Sequence, residues 1–462
     1  MGMHIRQAGD ATYTEDFAKC VAELSYAQLS AATLHSAKRG LLDWLGCVLV
    51  GSMHPTPSIL LETLKENGSS EQSLVLGLGG KLSYTDACLV NGQMGHILDF
   101  DDTHMGGVVL HASSPILSAL MSESQRKTTS PQDFLLAYVC GFEAGVRVGQ
   151  SSPDHHAGGW HLTGTLGTLA AGVAVGKLIG LDAQQMTYAM GIAATQASGL
   201  QQNRGTMCKS FHAGRAASNG LLAARLALRG FNSSPEIVEG KRGFSKIYSQ
   251  RSEPVKMVEN LGQAWEIDHN GFKPYACGVV LHPAIDAMIE LHRLSLCGLS
   301  DIEAIDVSVH PLVVSITGTQ APTSGLHSKF SIYHSVAIAL VDGQAGLDQY
   351  SDARVLDPLV EQLRQKIKVH VDEGLARDQA KARLTYQGQH KEVFVEHARG
   401  TIAHPMSDQD LELKFMANAS KVLGEKKSKA IAQKIWALET LADMSELWQM
   451  CSATSAQGFR AV

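Results

Sequence analysis

The stretch LTGTLGTLAAGVAVGK, residues 162–177, decides the architecture. It is apolar or small at every position until Lys177, so it reads as one helix with no polar face. A helix of that kind is buried. The run is shorter than the roughly 20 residues that cross a bilayer, so it is expected inside a protein core and not in a membrane. Ala189–Gly199 and Ala213–Ala227 share its texture. Small side chains let helix axes approach closely, so tightly packed helices are expected at the centre of the fold.

Working outward, apolar residues at three- and four-residue spacing predict helices over Glu15–Leu29, Leu34–Val50 and Ser83–Ile97. Ser130-Pro131 is a cap followed by proline at the first helical position, and it leads a helix over Asp133–Val148. Asp182 caps Ala183–Ser198, and Ser210–Leu228 runs to Gly230. After about residue 268 the texture changes. Ile302–His310 and Lys366–Asp372 alternate apolar with polar residues, as half-exposed strands do. Ala382–Tyr386 and Glu392–His397 flank a glycine turn and predict a hairpin. Pro283–Leu294 and Ser331–Leu340 are helices between these strands, and Ser407 caps a last helical region from Asp408. The expected fold is therefore mainly α. A large all-helical domain (residues 1–267 and 403–462) is interrupted by a smaller α+β domain (268–402).

Composition narrows the function. The chain has 462 residues, a net charge of -6 and 18% charged residues, without the basic balance of a nucleic-acid binder. Its eight cysteines are scattered with no CxxC pair, which excludes zinc-ribbon, thioredoxin and ferredoxin spacings and fits a reduced cytoplasmic protein. The first residues carry no basic-then-apolar signal pattern. No Walker loop, HExxH or GxSxG occurs, and Gly77–Gly80 fails the dinucleotide pattern because Leu82 holds its last position. The 20 histidines turn attention to proton transfer.

The densest polar cluster is DFDDTH, Asp99–His104, in a loop after a helix. It reads either as a metal or catalytic loop or as a solvated turn, and its spacing is not that of an EF-hand. His111 follows seven residues after His104, and His161 opens the small-residue helix, where a helix N-terminus lowers imidazole basicity. Arg204, Lys209 and Lys273 stand beside glycines and small residues, as surface charges or as an anion site. Tyr333 lies on a helix of the α+β part, where a core role with one hydroxyl partner is the default.

Several stretches together resemble the MmgE/PrpD family, which includes 2-methylcitrate dehydratase, cis-aconitate decarboxylase and iminodisuccinate epimerase. They are DWLGCVLVG (43–51), NGQMGHILDFDDTH (91–104), HLTGTLGTLAAG (161–172), GTMCKSFHAGRAASNGLLAA (205–224), GFKPYACGVVLHPAIDA (271–287), KFSIYHSVA (329–337) and SDQDLELKF (407–415). The resemblance implies a helical domain with an α+β lid, a homodimer, and an active site between the two parts. It implies no metal, no organic cofactor, no nucleic acid and no membrane. Asp99, Thr103, His111, His161, Lys209, Lys273 and Tyr333 match site positions of the family. The decarboxylase branch carries a histidine five residues after the lysine matched by Lys273, where this chain has Gly278.

The chemistry so implied is proton abstraction beside a carboxylate of a small polycarboxylate. It needs a placed base and fixed positive charge for the developing anion. Lys209 and Lys273, with Arg204, are expected to hold the substrate carboxylates, and His161 or His111 to move the proton. Asp99 orients a histidine or offsets a lysine, Thr103 and His104 bind substrate, and Tyr333 acts as an acid from the lid. A hydro-lyase of the 2-methylcitrate dehydratase kind is the expected reaction. An epimerase of an iminodisuccinate-like acid, a decarboxylase, and a non-catalytic binding protein are the alternatives.

Overall fold

The computed structural model describes residues 12–452. Its buried apolar side chains form two clusters. One draws on residues 17–272 and 406–451, and the other almost entirely on residues 275–384. The first is built by helices α1 (Tyr13–Glu23), α2 (Ala31–Gly51), α3 (Pro55–Glu66), α4 (Tyr84–His96), α5 (Ser113–Ser124), α6 (Pro131–Gln150), α7 (Leu162–Ile179), α8 (Ala183–Ala194) and α9 (Met207–Leu228). The chain is mainly α, as its periodicity predicts.

Helix α7 is buried without interruption from Leu162 to Gly176, which answers the question its apolarity raises: it is a core helix. It packs against α6 and α9, and α9 packs against α4. Missing side chains permit this closeness. A Cβ on Gly220 of α9 would stand 2.6 Å from the backbone nitrogen of Gly172 on α7. A Cβ on Gly92 of α4 would stand 2.8 Å from the Cα of Gly214 on α9. Ser83, Ser130 and Asp182 accept from the third backbone N–H of α4, α6 and α8, as N-caps do.

Two helices are shorter than the periodicity suggests. The helix expected over Glu15–Leu29 breaks at Leu24, where the backbone becomes extended and Ser25 starts a separate turn with Gln28. The helix expected to reach Ser198 ends at Ala194, and the chain after it turns through Gly199 (φ +137°) to accept the N–H of His161 on its carbonyl.

The second cluster lies under a four-stranded sheet. Ile302–Val309 is central, with Ile367–Val371 parallel on one side and Ala380–Tyr386 antiparallel on the other. Gln389–Val395 completes the hairpin at the edge, through a turn in which Gln387 (φ +47°) and Gly388 (φ +71°) are both left-handed. Helices His282–Arg293 and Ile332–Asp342 pack against each other beside it. The chain then returns to the helical part through Asp408–Leu423, capped by Ser407, which packs on α2. Lys414 on this helix pairs with Asp43 of α2 at 2.6 Å and donates to the Phe100 carbonyl at 2.6 Å. The Asp408–Leu423 helix thereby anchors the polar loop that follows α4.

Candidate active site

That loop is the centre of the site. Helix α4 ends at His96, and the backbone then turns through Asp99, whose φ of +50° is unusual for a residue with a side chain. Thr103 and His104 pair antiparallel with Gly271 and Asn270. This short bridge carries Lys273 alongside Asp99. Lys273 is buried (1% exposed) and donates to Asp99 Oδ1 at 2.6 Å and to the Asp99 carbonyl at 3.1 Å. Lys209, in the first turn of α9, brings its Nζ to 3.2 Å from the same Oδ1. One carboxylate thus serves two ammonium groups, and its other oxygen, also buried, has no partner among the described residues.

The imidazoles form a row beside this triad. Ring centroids are 4.8 Å apart for His111 and His96, 5.4 Å for His96 and His161, and 5.2 Å for His161 and His212. His96 Nδ1 donates to Asp101 Oδ2 at 2.8 Å, so its Nε2 is free to accept from Lys209 Nζ at 3.2 Å. His111 Nδ1 donates to the Asp102 carbonyl at 2.8 Å with Thr103 Oγ1 at 3.0 Å, which leaves its Nε2 as a lone pair. His161 stands at the N-cap of α7, and its Nδ1 meets Nδ1 of His212 at 2.9 Å. Those two nitrogens share a single proton. His161 Nε2 is shielded from water and has no partner among the described residues.

Burial dominates the protonation states. For Asp99 it would raise the carboxyl, but the Lys209 and Lys273 cations outweigh it and hold the group well below the carboxylate range. Asp101 is likewise held low, against its burial, by His96 and His111. Burial, and next the adjacent Asp43, push Asp102 up to about 8, so this acid is protonated at neutral pH. His161 is lowered well below its ordinary value by burial first and the Lys209 cation second. His111 is lowered by burial and Lys273. Both are therefore neutral at pH 7. Burial lowers Lys209 despite Asp99, whereas Asp99 more than offsets burial at Lys273 and raises it.

One member of the row, His96, borders a cleft closed from the α+β side. Its walls include His96, Asp99, Gly205, Lys209, Leu326, Lys329 and Phe330. Its volume is about 10 Å³, room for about one water. Lys329 is buried, donates to the Ala276 carbonyl at 2.6 Å, and is lowered by burial to about 8. A larger open groove of about 710 Å³ on the α+β part, lined by Asp286, Arg293 and Phe394 among others, is bordered by none of the clustered lysines and histidines.

The residues expected from sequence divide into two groups. Asp99, Thr103, His111, His161, Lys209 and Lys273 come together. Arg204 is bonded to Gln201 and does not line the cleft. Tyr333 is half-buried, and its hydroxyl accepts from Gln320 at 3.4 Å. His104 turns away, toward the Val108 carbonyl (3.1 Å) and Glu266 (3.1 Å). His96, Asp101, His212 and Lys329 belong to the cluster although sequence reasoning did not single them out. His212 lies one turn after Lys209 on the same helix face, a spacing that points to it; nothing local distinguishes Lys329. The ligand atoms of His96, Asp101 and His111 are close enough to hold a metal, but the Nδ1 hydrogens are committed and the Lys209 ammonium faces His96 Nε2, so the set does not suit a cation.

Comparison with known proteins identifies the family. The MmgE/PrpD N-terminal domain matches residues 15–256 and the MmgE/PrpD C-terminal domain matches residues 275–440. The chain is 29% identical to a cis-aconitate decarboxylase of Aspergillus terreus, over 95% of each chain. It is 30% identical to the cis-aconitate decarboxylase-like protein oryM of Aspergillus oryzae, over 96% of this chain and 98% of that one. It is 25% identical to a 2-methylcitrate dehydratase of Cupriavidus necator, over 76% of this chain and 75% of that one. On both its domain matches and its full-length relatives, the chain belongs to the MmgE/PrpD family.

Proposed function

We propose that this lyase acts on a small tricarboxylate of the cis-aconitate kind and removes one carboxyl group as carbon dioxide. The observation that carries the proposal is the meeting of Lys209, Lys273 and Lys329 with a His161 whose Nε2 is unpartnered and whose Nδ1 shares a proton with His212. The full-length relatives are named as cis-aconitate decarboxylases, which favours this chemistry.

In the proposed reaction the lysines hold the carboxylates that remain. The bond to the departing carboxyl breaks, and its electron pair moves across the neighbouring double bond to the far carbon. That carbon takes the proton of His161 Nε2. His161 stays neutral by drawing the shared Nδ1 proton from His212, which takes one from solvent. One proton is consumed per turnover, and a route through a second histidine that is 9% exposed suits a reaction with that need. Elimination of water and epimerisation consume none. The narrowness of the cleft further implies that Leu326–Phe330 move outward to admit substrate.

Gly278 favours a second reading, the hydro-lyase. A Cβ there would lie 3.7 Å from Phe330 in the cleft wall, so the histidine of the decarboxylase branch is missing beside the site itself. Incubation with cis-aconitate and with 2-methylcitrate in deuterated water separates the two. Carbon dioxide release with one deuterium fixed in the product supports decarboxylation, and water loss from 2-methylcitrate without carbon dioxide supports the hydro-lyase. Label exchange with no net change means epimerisation and overturns both. If Lys209→Ala and Lys273→Ala leave turnover and KM unchanged, the anion site is wrongly assigned.

A further inference from the structure

His104 is the polar residue of the Asp99–His104 loop that the active site leaves unused. Its ring is buried, with Nδ1 3.1 Å from the Val108 carbonyl and Nε2 3.1 Å from Glu266 Oε2. His269, one turn beyond Glu266, brings Nδ1 to 3.4 Å from the same carboxylate oxygen. The three ligand atoms all lie within 4.8 Å of one another.

The carbonyl of Val108 can only accept, so His104 Nδ1 carries a hydrogen, and His104 Nε2 meets the Glu266 oxygen either as the second N–H donor of an imidazolium or as a lone pair with a metal cation between them. Zinc–nitrogen and zinc–oxygen bonds of about 2.1 Å at tetrahedral angles put neighbouring ligand atoms about 3.4 Å apart. The 3.4 Å His269–Glu266 distance matches that edge, and the 3.1 Å His104–Glu266 distance is slightly shorter. The surroundings are those of ligands already oriented. The Val108 carbonyl fixes the His104 tautomer, and Gln150 Nε2 donates to the other Glu266 oxygen at 2.8 Å. Gly106 keeps the approach open, because a Cβ there would stand 2.8 Å from His104 Nε2. His269 is exposed, so the fourth position faces water.

We propose that His104, Glu266 and His269 bind one divalent transition metal of the zinc class. The site is structural. It fastens the Thr103–His104 strand, which follows Asp99, to the turn just before Asn270–Gly271 and Lys273, and so braces the Asp99–Lys273 pair from outside the cleft. The set combines one nearly inaccessible histidine with one exposed histidine, so it fills from solvent without opening the fold.

The test uses untagged protein stripped with a chelator, titrated with zinc against a chromophoric chelator and separately with cobalt(II). His269→Ala is the main variant. Its side chain is exposed, so folding should be intact, which the melting temperature of the stripped protein checks. His397→Ala, a surface histidine elsewhere, is the control. Wild type and His397→Ala should bind one ion that His269→Ala binds at least about tenfold more weakly. The cobalt spectrum should show tetrahedral bands only when His269 is present, and zinc should raise the melting temperature of wild type but not of His269→Ala. Equal affinity, stoichiometry and spectra for wild type and His269→Ala overturn the proposal. So does wild type that takes up no ion. None of these readouts depends on turnover, so failure here leaves the lyase reading untouched.

Discussion

Replacing Asp99 with asparagine is the sharpest perturbation of the site. The backbone is left-handed at this position, and asparagine tolerates that conformation best among the side chains of similar shape. The amide oxygen can still accept from Lys273, so what disappears is the charge. Lys209 and Lys273 each lie within 3.2 Å of Asp99 Oδ1, so their nitrogens are no more than about 6.4 Å apart, twice that distance. At an effective dielectric constant of about 20 the two cations then repel by at least about 2.6 kcal/mol, close to a hundredfold in a protonation equilibrium. Lys209 already sits below its ordinary value from burial, whereas Lys273 sits above it because of Asp99. Lys209 is therefore the group expected to lose its proton more readily in the variant. A substrate carboxylate then meets one cation fewer as the pH rises and recovers it as the pH falls. The expected result is a kcat/KM for Asp99→Asn that falls by ten- to a hundredfold at the higher pH and returns toward wild type at the lower one. Citrate binding by calorimetry should follow the same profile, which makes the test independent of the exact substrate. A variant whose profile runs parallel to wild type refutes the two-cations-on-one-carboxylate account.

Four further outcomes follow from particular contacts. His212→Phe keeps a ring beside His161 but removes the shared proton, so kcat should fall by about 10- to 100-fold with KM little changed and the pH profile altered; a change in KM alone would make His212 merely structural. Asp102 has a folded value raised to about 8 against about 3.9 unfolded, so between those values the folded chain keeps a proton that the unfolded chain releases, and this group's contribution to stability falls by about 1.4 kcal/mol for each unit of rising pH. Asp102→Asn lacks that loss. In urea titrations its stability relative to wild type should improve by about 2 kcal/mol from about pH 5.5 to about pH 7.5, and a constant difference would contradict the protonated state. Gly214→Ala places a Cβ 2.1 Å from the Leu89 carbonyl oxygen and should force α4 and α9 apart. A loss of about 3 kcal/mol is expected, together with a raised KM because His96 and Lys209 separate. Gly278→Ala, whose nearest neighbours are 3.7 Å away, should melt like wild type.

Whether the sequence revealed an element depended on whether its chemistry looked like its environment. Helix α7 was legible because every residue before Lys177 is apolar or small, and the caps at Ser130 and Ser407 marked the starts of their helices. Helix α5 was not. Its SSPILSALMSES carries five serines and reads as a loop, yet all its residues are buried. Two of the serine hydroxyls return to backbone carbonyls, Ser114 to Gly92 and Ser124 to Met121, and Ser113 reaches the Asp102 carboxyl, which lowers the cost of burying them. Lys329 was hidden for a related reason. A lone lysine looks like a surface charge, and only the packing of the α+β part against α9 makes it a wall of the cleft.

The Asp99–His104 loop shows what a list of polar residues cannot convey. Thr103 and His104 are consecutive residues of one extended bridge, and consecutive side chains of an extended strand point to opposite sides. Once Thr103 faces His111, His104 has to face away, toward Glu266. A substrate-binding role for both could not hold unless the bridge were broken. The hexapeptide meets two demands: Asp99, Asp101 and Thr103 serve the lysines and imidazoles, whereas His104 fastens the loop to the segment that delivers Lys273. Inserting one residue between Thr103 and His104 should exchange the two faces. It should abolish the His104–Glu266 contact and the placement of Lys273 together, whereas changes at His269 should touch only the first.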